Sequence, residues 1–187
     1  MTTVQVRPLI SSALAGAASG ARSFTGLAGL ALATRGDAQE QPDHTLARPW
    51  AKAVAGLLAA TEIALDKLPN APSRMAPPGL ASRLAGAAAS GVVIARRAPQ
   101  DDSLAGFPDQ DGALAPDTAA KPEAPASAAQ LAACAVASTG AALATAWLGS
   151  RWRAWAAPQF GHDWIGAGLE DVAALTLAAL AARQAAA

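Results

Sequence analysis

Among the ionisable side chains inside or at the ends of otherwise apolar runs, Arg22, Glu62, Asp66, Glu170 and Asp171 carry the most chemistry. A charge at the centre of a bilayer costs about 2.5–3.5 kcal/mol on insertion scales, so such groups turn toward one another or toward a water-filled route. Two chemistries follow. Arg22 with Glu62 makes an ion pair that fixes how two helices meet. The same pair, joined by Glu170, makes a polar core that handles a proton, an ion or a small solute near the midplane. A carboxylate such as Glu62, Asp66 or Glu170 also has the chemistry of a general acid or base. Nothing else points to an enzyme, because the sequence holds no nucleophile elbow and no phosphate-binding loop after a strand. His44 and His162 lie far apart, each beside a single aspartate (Asp43, Asp163), which is not ligand spacing. Asp109, Asp111 and Gly112 lack the remaining ligands of a calcium loop. Cys134 is the single cysteine and sits in an apolar run, where a small weakly polar side chain packs well. No metal and no cofactor are expected.

The elements that position these charges follow from composition. The chain has 187 residues, 52% hydrophobic and 15% charged, with 14 basic and 14 acidic side chains and no tyrosine. Its mean hydropathy is +0.24. Disorder requires low hydrophobicity with high net charge, and nucleic-acid binding a basic excess; neither is present. Average soluble domains carry about 25% charged residues. The composition therefore points to an alanine-rich, all-α, polytopic membrane bundle of about five (four to five) transmembrane helices in a single domain.

The apolar runs place these helices at about 9–34, 50–68, 80–95, 127–148 and 164–182. Arg7 followed by LISSALAGAASGA has the outline of a signal peptide, but the pattern resumes beyond Arg22, making one long first span. Pro69 and Pro72 stop the second helix. The Pro/Asp/Ala-rich stretch 98–126 has no hydrophobic periodicity and reads as a flexible loop. Between Glu123 and Arg151 there is no charge, which makes Ser127–Leu148 the clearest span. Trp147, Trp152, Trp155 and Trp164 cluster beside Arg151 and Arg153, as interfacial anchors do. With five spans the positive-inside rule is undecided. Arg7, Lys67, Arg74, Arg83, Arg151 and Arg153 fall on one side, and Arg35, Arg48, Lys52, Arg96, Arg97, Lys121 and Arg183 on the other.

On a helical wheel at 100° per residue, Ser11, Ala15, Ser19, Gly26, Gly29 and Ala33 gather within about 60° of Arg22. Small residues let helix backbones approach closely in lipid, so this stripe is the expected packing face, and Arg22 points into the bundle. Gly16 and Gly20 form a separate small-xxx-small pair, a weaker signal in a chain so rich in alanine and glycine. In the second helix Ala55 and Ala59 share a face with Glu62 and Asp66. Counted along antiparallel helices, Glu62 lies roughly 9 Å from Leu68 and Arg22 about 20 Å from Leu9, so an Arg22–Glu62 pair needs an offset. Asp66, beside Lys67, belongs nearer the interface. Glu170 and Asp171 have two readings. Either the last helix starts at Gly166 or Gly168 and they occupy its first turn, favoured by the macrodipole, or they are buried partners for Arg22.

Three stretches, SGARSFTGLAGLALA at 19–33, EIALDKLPNAPSR at 62–74 and GLEDVAALTLAALAA at 168–182, resemble the bacterial membrane family called domain of unknown function 4126. The shared pattern is a Gly-x-Arg-aromatic first helix, Glu then Asp-Lys-x-Pro closing the second, and Glu-Asp in the last. Here Ser23 separates Arg22 from Phe24, and Asp66-Lys67-Leu68-Pro69 is the most specific match. The resemblance implies a multi-pass membrane protein of unassigned activity. The expected setting is the inner membrane, with the lipid bilayer as surroundings, self-association or a membrane partner as the binding alternative, and no nucleic acid. Transport through the polar core is the leading expectation. The alternative is a structural or partner-binding protein assembled through its small-residue faces.

Overall fold

The computed structural model describes residues 4–65, 76–98, 126–160 and 163–186. Within them the chain forms seven helices and no strand: α1 (Val6–Ala21), α2 (Thr25–Ala33), the short α3 (Asp43–Leu46), α4 (Pro49–Leu65), α5 (Pro77–Arg97), α6 (Ala128–Phe160) and α7 (Asp163–Ala186). The all-α expectation is met. Asp66, His162 and nearly all of the 98–126 stretch lie outside the described residues.

The largest departure from the sequence reading concerns the first helix. The expected span 9–34 is two helices, because the chain leaves helical geometry at Arg22 (φ −144°, ψ 117°) and restarts at Thr25. It also reverses. Gly26 packs against the Ala15 carbonyl and the Ser19 side chain, which a continuous helix would hold about 16 and 10 Å away along its axis. The apolar pattern is indifferent to this turn, since both halves remain apolar whichever way the second one points.

Contacts along the helices set their directions. Gln5 N donates to Gln130 Oε1 at 2.9 Å, Gly16 meets Ser138 and Gly20 meets Ala142, so α1 and α6 run parallel. α5 descends beside them, with Arg83 at Gly20, Ala87 at Ser138 and Gly91 at Cys134. α7 descends too, from Asp171 at Arg22 through Ala178 at Gly29 to Gln184 at Ser11. α4 rises along α2, from Lys52 at Thr34 to Glu62 at Ser23. The bundle is therefore an alternating up-and-down array. Its lower end holds Gln5, Arg97 and Gln184; the α1–α2 turn lies partway up, beside Ala142 near the middle of α6, and α6 and α7 continue above it.

The Gly16/Gly20 pair, the weaker of the two sequence signals, makes the tightest crossing. A Cβ on either residue would run into the α6 backbone at Ser138 or Ala142, so only glycine allows this approach. Apart from a small aliphatic cluster of Leu30, Val93 and Ile94 and the buried Arg22 and Arg83, the residues buried across the bundle are mostly small or weakly polar, including Ala15, Ala18, Ser19, Ser90, Cys134, Ser138 and Ala174. Leu57, Val136, Leu143, Val172 and Leu175 face outward instead. Small residues inside and large apolar ones outside is the packing expected in lipid, where helix association rests on close approach rather than on hiding leucine from water.

Among the described residues, three helical segments are long and apolar enough to cross a membrane: Pro77–Arg97, Ala128–Ala156 and Ile165–Ala185. With 16 and 9 residues, α1 and α2 reach about 24 and 14 Å, against about 30 Å of hydrocarbon. The expected fourth helix also runs on, since α6 continues through the tryptophan-rich stretch to Phe160.

Candidate functional site

A helix that stops leaves carbonyls without partners, and one that starts leaves N–H groups without partners. At the α1–α2 turn both sets are met by side chains from other helices. Arg83 of α5 donates through Nη1 to the Gly20 and Ala21 carbonyls, both at 2.6 Å. Glu62 of α4 accepts from Ser23 N at 2.8 Å, Ser23 Oγ at 2.9 Å and Phe24 N at 3.2 Å. A cation thus sits on a helix C-terminus and a carboxylate on a helix N-terminus, each at the dipole end that favours it. The two are themselves paired, Arg83 Nη2 to Glu62 Oε1 at 3.5 Å.

Arg22 leaves the turn toward α7. Its Nε donates to Asp171 Oδ1 at 2.7 Å, and Nη2 contacts the same oxygen. The side chain is fully buried. One residue earlier on α7, Glu170 Oε2 accepts from Arg153 Nε at 3.3 Å. Three guanidiniums and three carboxylates from α4, α5, α6, α7 and the turn therefore meet in one layer at the α1–α2 turn: Arg22–Asp171, Arg83–Glu62 and Arg153–Glu170. Their formal charges cancel. A cavity of about 250 Å³ between α6 and α7 borders this layer and is lined by Ala21, Trp152, Leu169 and Glu170 among others.

The structure thus brings together Arg22, Glu62, Glu170 and Asp171; Asp171 is the buried partner of Arg22, one of its two expected readings, whereas Glu62 and Glu170 pair with other arginines. Glu62 goes to Arg83 and the start of α2 rather than to Arg22. Because α7 starts at Asp163, Glu170 and Asp171 lie two turns into it, which removes the helix-start reading and leaves them as buried partners. Arg83 is the residue that sequence reasoning misses. It stands near the start of its helix and reads as flanking charge, although its signal was available as a charge inside an apolar segment. Among the packing residues, Gly29 meets Ala178, while Ala55 and Ala59 are half-buried on a helix whose only buried described residue is Ala51. Trp147 and Trp155 are half-exposed, with Arg151 stacked over Trp147 and the Trp152 and Trp155 rings 5.3 Å apart. Trp164 lies in the first turn of α7.

A second polar cluster lies at the lower end. Arg97 donates through Nε to Asp43 Oδ1 and Oδ2 at 2.9 and 3.0 Å, and through Nη2 to Thr34 Oγ1 at 2.7 Å. Lys52 Nζ reaches the Thr34 carbonyl at 2.7 Å. Both ends of α2 are therefore held by charges of the sign its dipole calls for. Among the described residues no group of three or more His, Cys, Asp or Glu is placed to hold a metal ion. Comparison with known proteins gives no match to a family model, to a curated protein or to a solved structure.

Proposed function

We propose that this chain is a multi-pass inner-membrane protein whose buried charge layer passes a proton, an ion or a small solute between helices. The observation that carries the reading is the interrupted helix: both half-helix ends at residues 21–24 face charges contributed by α4 and α5. Discontinuous helices whose ends point at bound charges are how transporter sites are commonly built. The hairpin also returns Arg7 to the lower end, with Arg35, Arg48, Lys52, Arg96, Arg97 and Arg183. Among the described residues these seven outweigh Arg22, Arg83, Arg151 and Arg153 above, and the positive-inside rule then makes the lower end cytoplasmic. Membership of the domain of unknown function 4126 family is part of this proposal. What supports it is that Arg22, Glu62, Glu170 and Asp171, all in the resembling stretches, converge on one layer.

A second reading, a structural or partner-binding membrane protein, draws on one specific observation: each of the three guanidiniums already meets a carboxylate. Gly16, Gly20, Gly26 and Gly29 are used inside the bundle, so a partner would meet the open face of α6 around Gly140. The deciding experiment is a proteoliposome flux assay across protons and common ions. It compares wild type with Arg22→Ala and Glu62→Gln, each first shown to insert and fold. Wild-type flux that disappears in a folded variant is the expected result. Absence of wild-type flux, with variants that only lose stability, overturns transport of these ions and leaves the second reading.

A further inference from the structure

An apolar groove of about 610 Å³ runs down the outside of the bundle between α4 and α7, with α2 as its floor. Its walls include Leu32, Gly56, Ala59 and Ala178, and its two ends carry different chemistry: Thr25 at the upper end and Arg183 at the lower. The three helices give the same length for it. From Thr25 to Ala33, from Gly56 to Ile63 and from Leu175 to Arg183 each spans about 11–12 Å of helix axis. One leaflet of hydrocarbon is about 15 Å deep, half of the 30 Å core. The groove is thus about as long as the hydrocarbon depth of one leaflet, and it opens sideways.

Two further observations concern the ends. Arg183 is exposed, with no ion pair among the described residues, at the same end of the bundle as Lys52 and Arg35. Thr25 is 2% exposed, and its hydroxyl has no hydrogen-bond partner among the described residues. An apolar slot with a cationic mouth at headgroup level matches an amphiphile with an anionic head and a hydrocarbon tail; the Thr25 hydroxyl, which an acyl chain would leave unpaired, takes no part in the match. Basic sites beside transmembrane helices on the cytoplasmic side take anionic lipid headgroups by the same electrostatics.

We infer that this groove holds one acyl chain of an anionic membrane phospholipid, with its phosphate at Arg183 and its chain running toward Thr25. The inference rests on the membrane placement proposed above and is independent of any transport.

The test uses the full-length protein reconstituted in phosphatidylcholine vesicles. These contain either phosphatidylglycerol or phosphatidylcholine carrying a photoactivatable acyl chain, and labelled peptides are mapped after irradiation. Label is expected in peptides covering 25–33, 56–63 and 175–183, with phosphatidylglycerol preferred about fivefold, the effect of one basic side chain at an anionic surface. Arg183→Gln should abolish that preference while labelling persists. Gly56→Phe, at a position whose side-chain space is open, should lower labelling of the groove peptides and leave the outer face of α6 around Val136 and Leu143 labelled as before. Equal labelling of every outward face, or a groove indifferent to both headgroup and Arg183→Gln, overturns the inference while the membrane placement stands. So does a groove closed to lipid by a second copy, seen as cross-linking of Ala59→Cys chains. Label nowhere on the protein overturns the membrane placement as well.

Discussion

The two ends of α2 solve the same problem with different degrees of burial. At the upper end Glu62 and Arg83 hold the turn, and their side chains are 17% and 5% exposed; beside them Arg22 is closed off entirely against Asp171. At the lower end Arg97 and Asp43 are 11% and 28% exposed, with Lys52 alongside. A charge removed from the sealed end leaves its partner stranded in a low-dielectric interior, whereas one removed from the open end leaves a partner that water can reach. The difference assigns the upper end the larger share in holding the hairpin, and it orders the expected effects of substitution.

The largest effect belongs to Arg22. Arg22→Ala should lower stability by about 3–5 kcal/mol, as breaking a buried pair does, measured by denaturant titration of helical signal in detergent. Asp171→Asn should fall in the same range. The double variant Arg22→Met with Asp171→Leu should regain most of the loss, because a buried pair replaced by apolar groups is often close to neutral; a double variant as weak as the single ones would break the comparison. Glu62→Gln comes next, at about 2 kcal/mol. The amide oxygen still accepts from the start of α2, but the charge-assisted share, roughly half of such a bond, is lost. At the open end Arg97→Ala should lose about 1–2 kcal/mol, since its partners become wet rather than stranded. A loss equal to that of Arg22→Ala in the same titration would erase the distinction between the ends. The smallest effect is expected for Arg35→Ala. Its contact with Asp37 is 3.9 Å long between side chains 89% and 78% exposed, so the change should stay within about 0.5 kcal/mol.

Much of this arrangement can be read from residues alone. Charges inside apolar runs single out Arg22, Glu62, Glu170 and Asp171, and the fold gathers all four. The alanine-rich runs predict helices, and α5 and α7 lie close to where the runs place them. The reversal at Arg22 cannot be read in this way. No proline marks it, Gly20 and Gly26 serve equally well as packing residues, and the groups that hold it come from α4 and α5, 38 to 63 residues away. Composition cannot supply such distant partners. The extension of α6 is missed for the opposite reason. Trp and Arg mark a membrane boundary, yet alanine and arginine are good helix formers and tryptophan a tolerable one, so a helix can run through them. The Gly16/Gly20 crossing is hidden by composition, since small-xxx-small spacings recur throughout this chain and only the position of α6 shows which of them is used.

The separation between Arg22 and Asp171 has a consequence for how the protein is made. The two are 149 residues apart, so at about 5–20 residues per second the ribosome finishes the aspartate roughly 7–30 s after the arginine. For that interval the nascent hairpin carries a cation whose partner does not yet exist. In the membrane placement proposed above, it has to be held at the membrane surface or shielded by the insertion machinery, and the α1–α2 hairpin is seated only after α7 has been made.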